Sequence, residues 1–282
     1  MEACRFNHLA SLFIVSRSIW NSFRSPKRIL FASVLVLVFA SFASAQTTTE
    51  SLPDAPQPQN QVKNEPVTIQ STPRHLLKDQ KAIWTSPARI RESNALGPVA
   101  LVLATTLAIT TDHQVMSSSK LENISLNNKA STASNGLVGA FIAAPVVFFG
   151  MGAVHHDEHA TETGILGGEA IVDSLAVDEV LKIVSLRERP TLDNARGKFF
   201  QAAVGFNSSF PSNHAVIAWS AASAIVSEYP GPLTQITAYG LATGVSLTRV
   251  LARQHFPSDV LVSSAVGWMI GRYVVRRHRR IY

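Results

Sequence analysis

The sequence predicts an all-α protein, a bundle of five or six main helices with its chemistry at the helix ends. Three observations carry this reading. Apolar segments of helical length recur at 96–110, 136–154, 161–183, 214–227, 234–253 and 257–276. Turn and capping residues separate them: Pro190, Ser212, the Tyr229-Pro230-Gly231-Pro232 turn and Pro257-Ser258. No fixed-length repeat runs through the chain, so the helices form a bundle rather than a stacked array.

The chain has 282 residues, enough for one substantial core or two small ones. Its single cysteine, Cys4, excludes an intrachain disulfide framework. Residues 1–45 read as an export signal. Arg17, Arg24, Lys27 and Arg28 precede an apolar run from Ile29 to Ala40, and Ala43-Ser44-Ala45 supplies a small-x-small cleavage pattern. Five of the Lys and Arg residues and one acidic residue lie in this stretch. Its removal lowers the formal charge from +6 to +2. The basic balance is therefore largely a targeting feature and does not indicate nucleic-acid binding. The terminal Arg276-Arg277-His278-Arg279-Arg280 run is a local basic cluster. It suits a solvated helix end or anionic lipid headgroups.

The elements follow in order. Residues 46–72 are polar and carry Pro53, Pro56, Pro58 and Pro66, which marks a flexible linker. Residues 73–94 mix Leu76, Leu77, Ile83 and Trp84 with charges, as short amphipathic helices do. The main bundle is expected over 95–282. Its first apolar run, Leu96–Thr110, is short for a membrane span of about 20 residues and ends at Asp112 and His113. Residues 117–135 are rich in Ser and Asn and read as an exposed loop or broken helix. Pro145 should kink the helix over 136–154. The His155-His156-Asp157-Glu158-His159 cluster is of a kind that binds transition metals. Consecutive residues lack zinc-site spacing, however, and a solvated turn between helices is the simpler account, with no metal site assigned. Asp173, Asp178 and Glu179 interrupt the next helix. Ionisable groups are costly at bilayer depth, which favours a water-soluble or peripherally bound bundle.

The chemistry sits at three places. The helix over 161–183 delivers Lys182, and Arg187, Arg189 and Pro190 follow. Phe199, Phe200 and Phe206 lie in the next loop, where they can pack in the core or meet an apolar leaving group. Pro211-Ser212-Asn213-His214 opens a helix. Ser212 is placed to cap it, and the free first-turn amides suit an anion. Thr248, Arg249, His255 and Asp259 bracket the last interhelical turn: a guanidinium for phosphate oxygens, an imidazole as nucleophile or base, and a carboxylate to orient the ring.

Together these segments resemble the three signature motifs of the type-2 phosphatidic acid phosphatase and vanadium haloperoxidase superfamily. The likeness covers roughly residues 95–275. Lys182 to Pro190 matches the first motif. Pro211 to His214 matches the second, with Asn213 where Gly is usual. Thr248 to Asp259 matches the third, with Thr for Ser, and with Arg253 at a position usually held by Gly. The resemblance implies a helical phosphatase-like bundle that needs no cofactor and hydrolyses a phosphate ester through phosphohistidine. In it His255 would attack, Asp259 would hold the ring, and His214 would protonate the leaving oxygen and then activate water. Lys182, Arg189, Ser212, Asn213 and Arg249 would bind phosphate. A vanadium-dependent haloperoxidase and a non-catalytic exported anion-binding protein are the alternatives. The expected location is the periplasm, with membrane association or an integral inner-membrane position also compatible. The expected partner is a lipid or small-molecule phosphate ester, not nucleic acid.

Overall fold

The computed structural model describes residues 67–202 and 207–279, all within the compact unit 60–282. The expected export signal, most of the expected linker, and Phe206 lie outside the described residues.

Among the described residues there are seven α-helices and no strand. They are α1 (Thr72–Thr85), α2 (Leu96–Met116), α3 (Ile124–His155), α4 (Glu158–Ser185), α5 (Asn213–Glu228), α6 (Pro232–Leu251) and α7 (Pro257–His278). The all-α reading holds, with α2 to α7 as the main bundle. Local chemistry sets the boundaries. Asn123 Oδ1 accepts the Leu126 N–H at 3.1 Å and starts α3. Asp157 Oδ1 accepts the Ala160 N–H at 3.1 Å and starts α4. Proline occupies the first turn of α6 and α7, where its missing N–H costs nothing. Within the 155–159 cluster, His156 ends α3 in a left-handed conformation, Asp157 caps α4, and His159 pairs with Glu228 at 2.9 Å. The cluster thus serves the turn.

Two boundaries differ from the sequence reading. α2 continues six residues past Thr110, because Asp112 and Met116 are buried on its inner side. The polar stretch after residue 123 is not a loop but the first part of α3. It is polar because most of its side chains are exposed to solvent, and Asn135 reaches His214. Pro145 lies inside the continuous α3, and α4 fits against it through Gly164. A Cβ at Gly164 would stand 2.6 Å from the Pro145 carbonyl oxygen.

α5 is the central helix, packed by α3, α4, α6 and α7. Its buried residues include Val216, Ile217, Trp219 and Val226 and a run of small side chains, Ala215, Ala218, Ser220, Ala221, Ala222, Ser223 and Ala224. The small ones let α7 approach closely: a Cβ at Gly267 would lie 2.5 Å from the Val216 carbonyl oxygen. The main apolar cluster joins Leu166, Ala170 and Val177 of α4 to Ala224 of α5 and to Ile270, Val274 and Val275 of α7. A satellite of Met116, Ala195 and Phe256 sits under the loop after α4.

Asp173 and Asp178 point into this bundle and are buried, and Glu179 is half-buried. Their charges therefore place no limit on what the outer faces meet. α2 and α3 have the length and apolarity to cross a membrane, and most of each helix is exposed. The outward side chains are Leu96, Val99, Val102 and Leu103 on α2, and Val146, Val147, Met151 and Val154 on α3.

A second ionic cluster joins α1, α4 and α7 toward the other end of the bundle. His75 contacts Glu169 at 3.1 Å, and His278 contacts Asp79 at 2.7 Å. The two imidazoles stack at 4.0 Å. Arg277 and the Tyr273 hydroxyl also reach Asp79, both at 3.3 Å, and Gln80 donates to Asp173 Oδ1 at 2.8 Å.

Candidate active site

The site is built where α4 ends and α5 and α7 begin. Lys182 stands in the last turn of α4, fully buried. Its ammonium donates to the Pro211 carbonyl and lies 3.4 Å from Asp178. Burial lowers the lysine pKa, opposed by Asp178 and Glu179. The chain leaves α4 through Leu186 in the left-handed region and folds back on itself. Phe200 N–H donates to the Ser185 carbonyl, and Ser209 N–H to that of Arg187. Arg189 is aimed from this loop. Its Nη1 donates to the Gln254 carbonyl at 3.1 Å and its Nε to Asn207 Oδ1 at 3.3 Å.

The Phe210–Pro211 peptide is cis, and α5 starts directly after it. Ser212 occupies the N-cap position as expected, but its hydroxyl does not cap. Its N–H donates to Ser263, and its buried Oγ has no partner. Asn213, predicted to bind phosphate, donates from its side-chain amide to Glu179 Oε1 at 2.5 Å, and its main-chain N–H lies in the first turn of α5. His214 Nε2 lies 3.0 Å from Asn135 Oδ1.

Arg249 ends α6, 7 % exposed, with its Nε unpartnered. Thr248 bonds back to the Gly244 carbonyl at 2.8 Å, within its own helix. Arg253 has φ 53°, the left-handed region that favours glycine. This is the physical reason for the Gly usual there. The arginine bears the strain and reaches the Pro190 carbonyl at 3.4 Å.

His255 is 2 % exposed. Its Nδ1 meets the Ser209 carbonyl oxygen at 2.6 Å, and a carbonyl can only accept, so Nδ1 carries the proton and Nε2 keeps its lone pair. The sequence reading gave this orienting role to Asp259, which stands 3.8 Å from the ring. Asp259 instead accepts from Arg187 at 2.6 Å, from the Ser209 hydroxyl at 2.5 Å and from the Phe256 N–H at 2.8 Å.

His214, His255, Lys182, Arg189 and Arg249 lie within electrostatic reach of one another. Burial, then Lys182, Arg249 and Arg189, hold His255 well below the ordinary histidine value. Burial, then Arg249 and His255, push His214 down to about 4. Both rings are neutral at neutral pH. The result is two neutral imidazoles beside three cations, with an unpartnered hydroxyl and guanidinium nitrogen: a site short of negative charge, as an oxyanion pocket is before it fills.

Sequence reasoning missed Ser209, Asn135, Asp112 and the partners of Arg187. Only Asp112, a charge at the end of an apolar run, carried a signal.

No curated protein and no solved structure matches the chain. Residues 164–282 match the family described as PAP2 superfamily, and over that stretch the chain carries a PAP2-superfamily domain of general phosphatase-like character.

Proposed function

We propose that the protein is a metal-independent phosphatase that hydrolyses a phosphate ester through a phosphohistidine on His255. The observation that carries this reading is the neutral, buried imidazole with Nδ1 committed to Ser209 and Nε2 left unprotonated among Lys182, Arg189 and Arg249. Nε2 attacks phosphorus, the bond to the leaving oxygen breaks, and His214 supplies that oxygen with a proton. Water then attacks phosphorus, the P–N bond breaks, and His214 takes the water's proton. The guanidinium and ammonium groups, the Ser212 hydroxyl and the first-turn amides of α5 stabilise the equatorial oxygens. A bound dianion offsets the cations that depress His214, so substrate itself raises the proton affinity of the acid it requires.

The substrate class is a lipid or small-molecule phosphate ester. The protein is read as exported and membrane-associated, with the exposed apolar faces of α2 and α3 as the observation in favour. Carbonate extraction sorts the modes: release marks a peripheral protein, and retention until detergent marks an integral one.

Rapid quench with a ³²P-labelled ester tests the chemistry. Acid-labile, base-stable label on His255, with turnover unaffected by EDTA, is the expected result. Label on His214, or activity that EDTA abolishes and a divalent ion restores, overturns the proposal.

A further inference from the structure

We propose that Asp112 and Arg187 are positioning residues for His255, acting through Asp259 and Ser209; the inference rests on the phosphohistidine reading above. Arg187 is 1 % exposed, and its guanidinium is used almost completely. Nη2 donates to Asp112 Oδ2 at 2.7 Å, Nη1 to Asp259 Oδ1 at 2.6 Å and to the Ser258 hydroxyl at 2.7 Å, and Nε to the Gly197 carbonyl at 3.2 Å. The rings of Phe256 and Phe199 cover it at 4.1 and 4.7 Å. Asp112 closes the bracket by accepting from the Ser258 N–H at 3.1 Å and from the Ser258 hydroxyl.

The bracket ends on one atom, the carbonyl oxygen that holds the nucleophile's Nδ1–H. Three links lead there. The Arg187 carbonyl accepts the Ser209 N–H at 2.8 Å. The Arg187 N–H donates to Ser208 Oγ at 3.0 Å, fixing the preceding residue. Asp259, held by Arg187, grips the Ser209 hydroxyl. The guanidinium holds Asp259 Oδ1, while Oδ2, the oxygen nearer the His255 ring at 3.8 Å, is taken by the Ser209 hydroxyl and the Phe256 N–H. Gly197 makes the enclosure feasible: its φ is 60°, and a Cβ there would stand 2.5 Å from the Phe256 ring and 3.1 Å from Arg187 Nη2. Asp112 lies on α2, outside the stretch 164–282. Helix α2 thus sets the nucleophile's orientation through Arg187, with no hydrogen bond of Asp112 to His255 itself. Ion triads of this kind contribute little net stability compared with apolar packing, so a role in geometry is the better account of it.

The test uses ¹⁵N-histidine-labelled full-length protein, with the His255 ring signals assigned by their loss in His255→Ala. Wild type should show the Nδ1–H tautomer. In Asp112→Asn and Arg187→Lys a second ring state should appear. In the same samples kcat for an aryl phosphate should fall on the order of 10²-fold, as a misplaced reacting group does, with KM changed less than about threefold. A merely structural role lowers the yield of folded protein and leaves the ring signature and kcat per folded molecule unchanged; that result overturns the inference. Should Asp112→Asn not fold, Ser258→Ala keeps both charges, removes the hydroxyl between them and is read in the same way. If the ring signature shifts while wild type itself neither hydrolyses phosphate esters nor forms phosphohistidine, the positioning role stands and the proposed function falls.

Discussion

The two ionic clusters of this bundle use similar residues to opposite ends. Near the C-terminus of α7, each histidine meets a carboxylate, His75 with Glu169 and His278 with Asp79, and Arg277 adds to the second pair. At the head of α7, the histidines meet a carbonyl and an amide oxygen instead, and Arg249 and Ser212 keep unpartnered polar atoms. The first cluster ties α1 to the bundle and leaves one acidic oxygen, Asp173 Oδ2, without a partner. The second is left incomplete in the sense an oxyanion would complete. Charge content does not separate a tether from a site, but the kind of unmet group does: an acidic oxygen at Asp173 in the one, a guanidinium nitrogen at Arg249 and a hydroxyl at Ser212 in the other.

Substitutions should separate the two clusters sharply. The largest effect is expected from His255→Ala, which removes the attacking nitrogen and should lower kcat by about 10⁵-fold or more, as loss of a nucleophile does elsewhere, measured under single-turnover conditions. Arg249→Ala should lower kcat/KM by roughly 10²–10³-fold, the usual cost of one preorganised charge donor, with partial recovery in Arg249→Lys. At the tether, Asp79→Ala leaves Arg277 and His278 without their carboxylate. It should cost on the order of 3 kcal/mol, seen as a lower melting temperature, while kcat of the folded fraction stays at the wild-type value. A fall in kcat matching the site variants would erase the distinction.

Two smaller effects concern protons. His214 is depressed to about 4 by burial and by nearby cations. Vanadate bound among those cations should raise its proton affinity, so binding near pH 6 should take up a fraction of a proton. Titration calorimetry in buffers of different ionisation enthalpy measures this, and zero uptake would contradict the electrostatic account. At the tether, burial raises Asp173 to about 7 from 3.8. A raised acid favours the folded state below its unfolded value, and that stability is lost as pH rises through the folded value. Stability should therefore decline between about pH 4 and pH 7. Asp173→Asn, which keeps an oxygen for Gln80, should flatten that part of the profile in chemical denaturation.

The motif residues were legible because local spacing places them at helix ends: Lys182 closing α4, His214 opening α5, Arg249 closing α6 and Asp259 in the first turn of α7. What holds them was not legible, because it spans the chain. Arg187 finds Asp112 across 75 residues and Asp259 across 72, and no local periodicity encodes such a meeting. The start of α3 was misread for a related reason. Its Ser and Asn residues look like loop composition until Asn135 is seen against His214. Asn213 and Thr248, which depart from the family pattern, turn away to Glu179 and the Gly244 carbonyl.

The close seam between α5 and α7 bears on how such a protein can diversify. A Cβ at Gly271 would fall 2.0 Å from Ser223 Oγ and 2.4 Å from the Ser220 carbonyl oxygen, so the smallest enlargement there must drive the helices apart. His214 rides on one of these helices and Asp259 on the other, so that displacement would reach the chemistry from about two to three helical turns away. Lineages that change substrate would then be expected to keep this seam fixed and to accumulate their novelty in the loop between α4 and α5 and on the outer helices, where a new side chain meets open space.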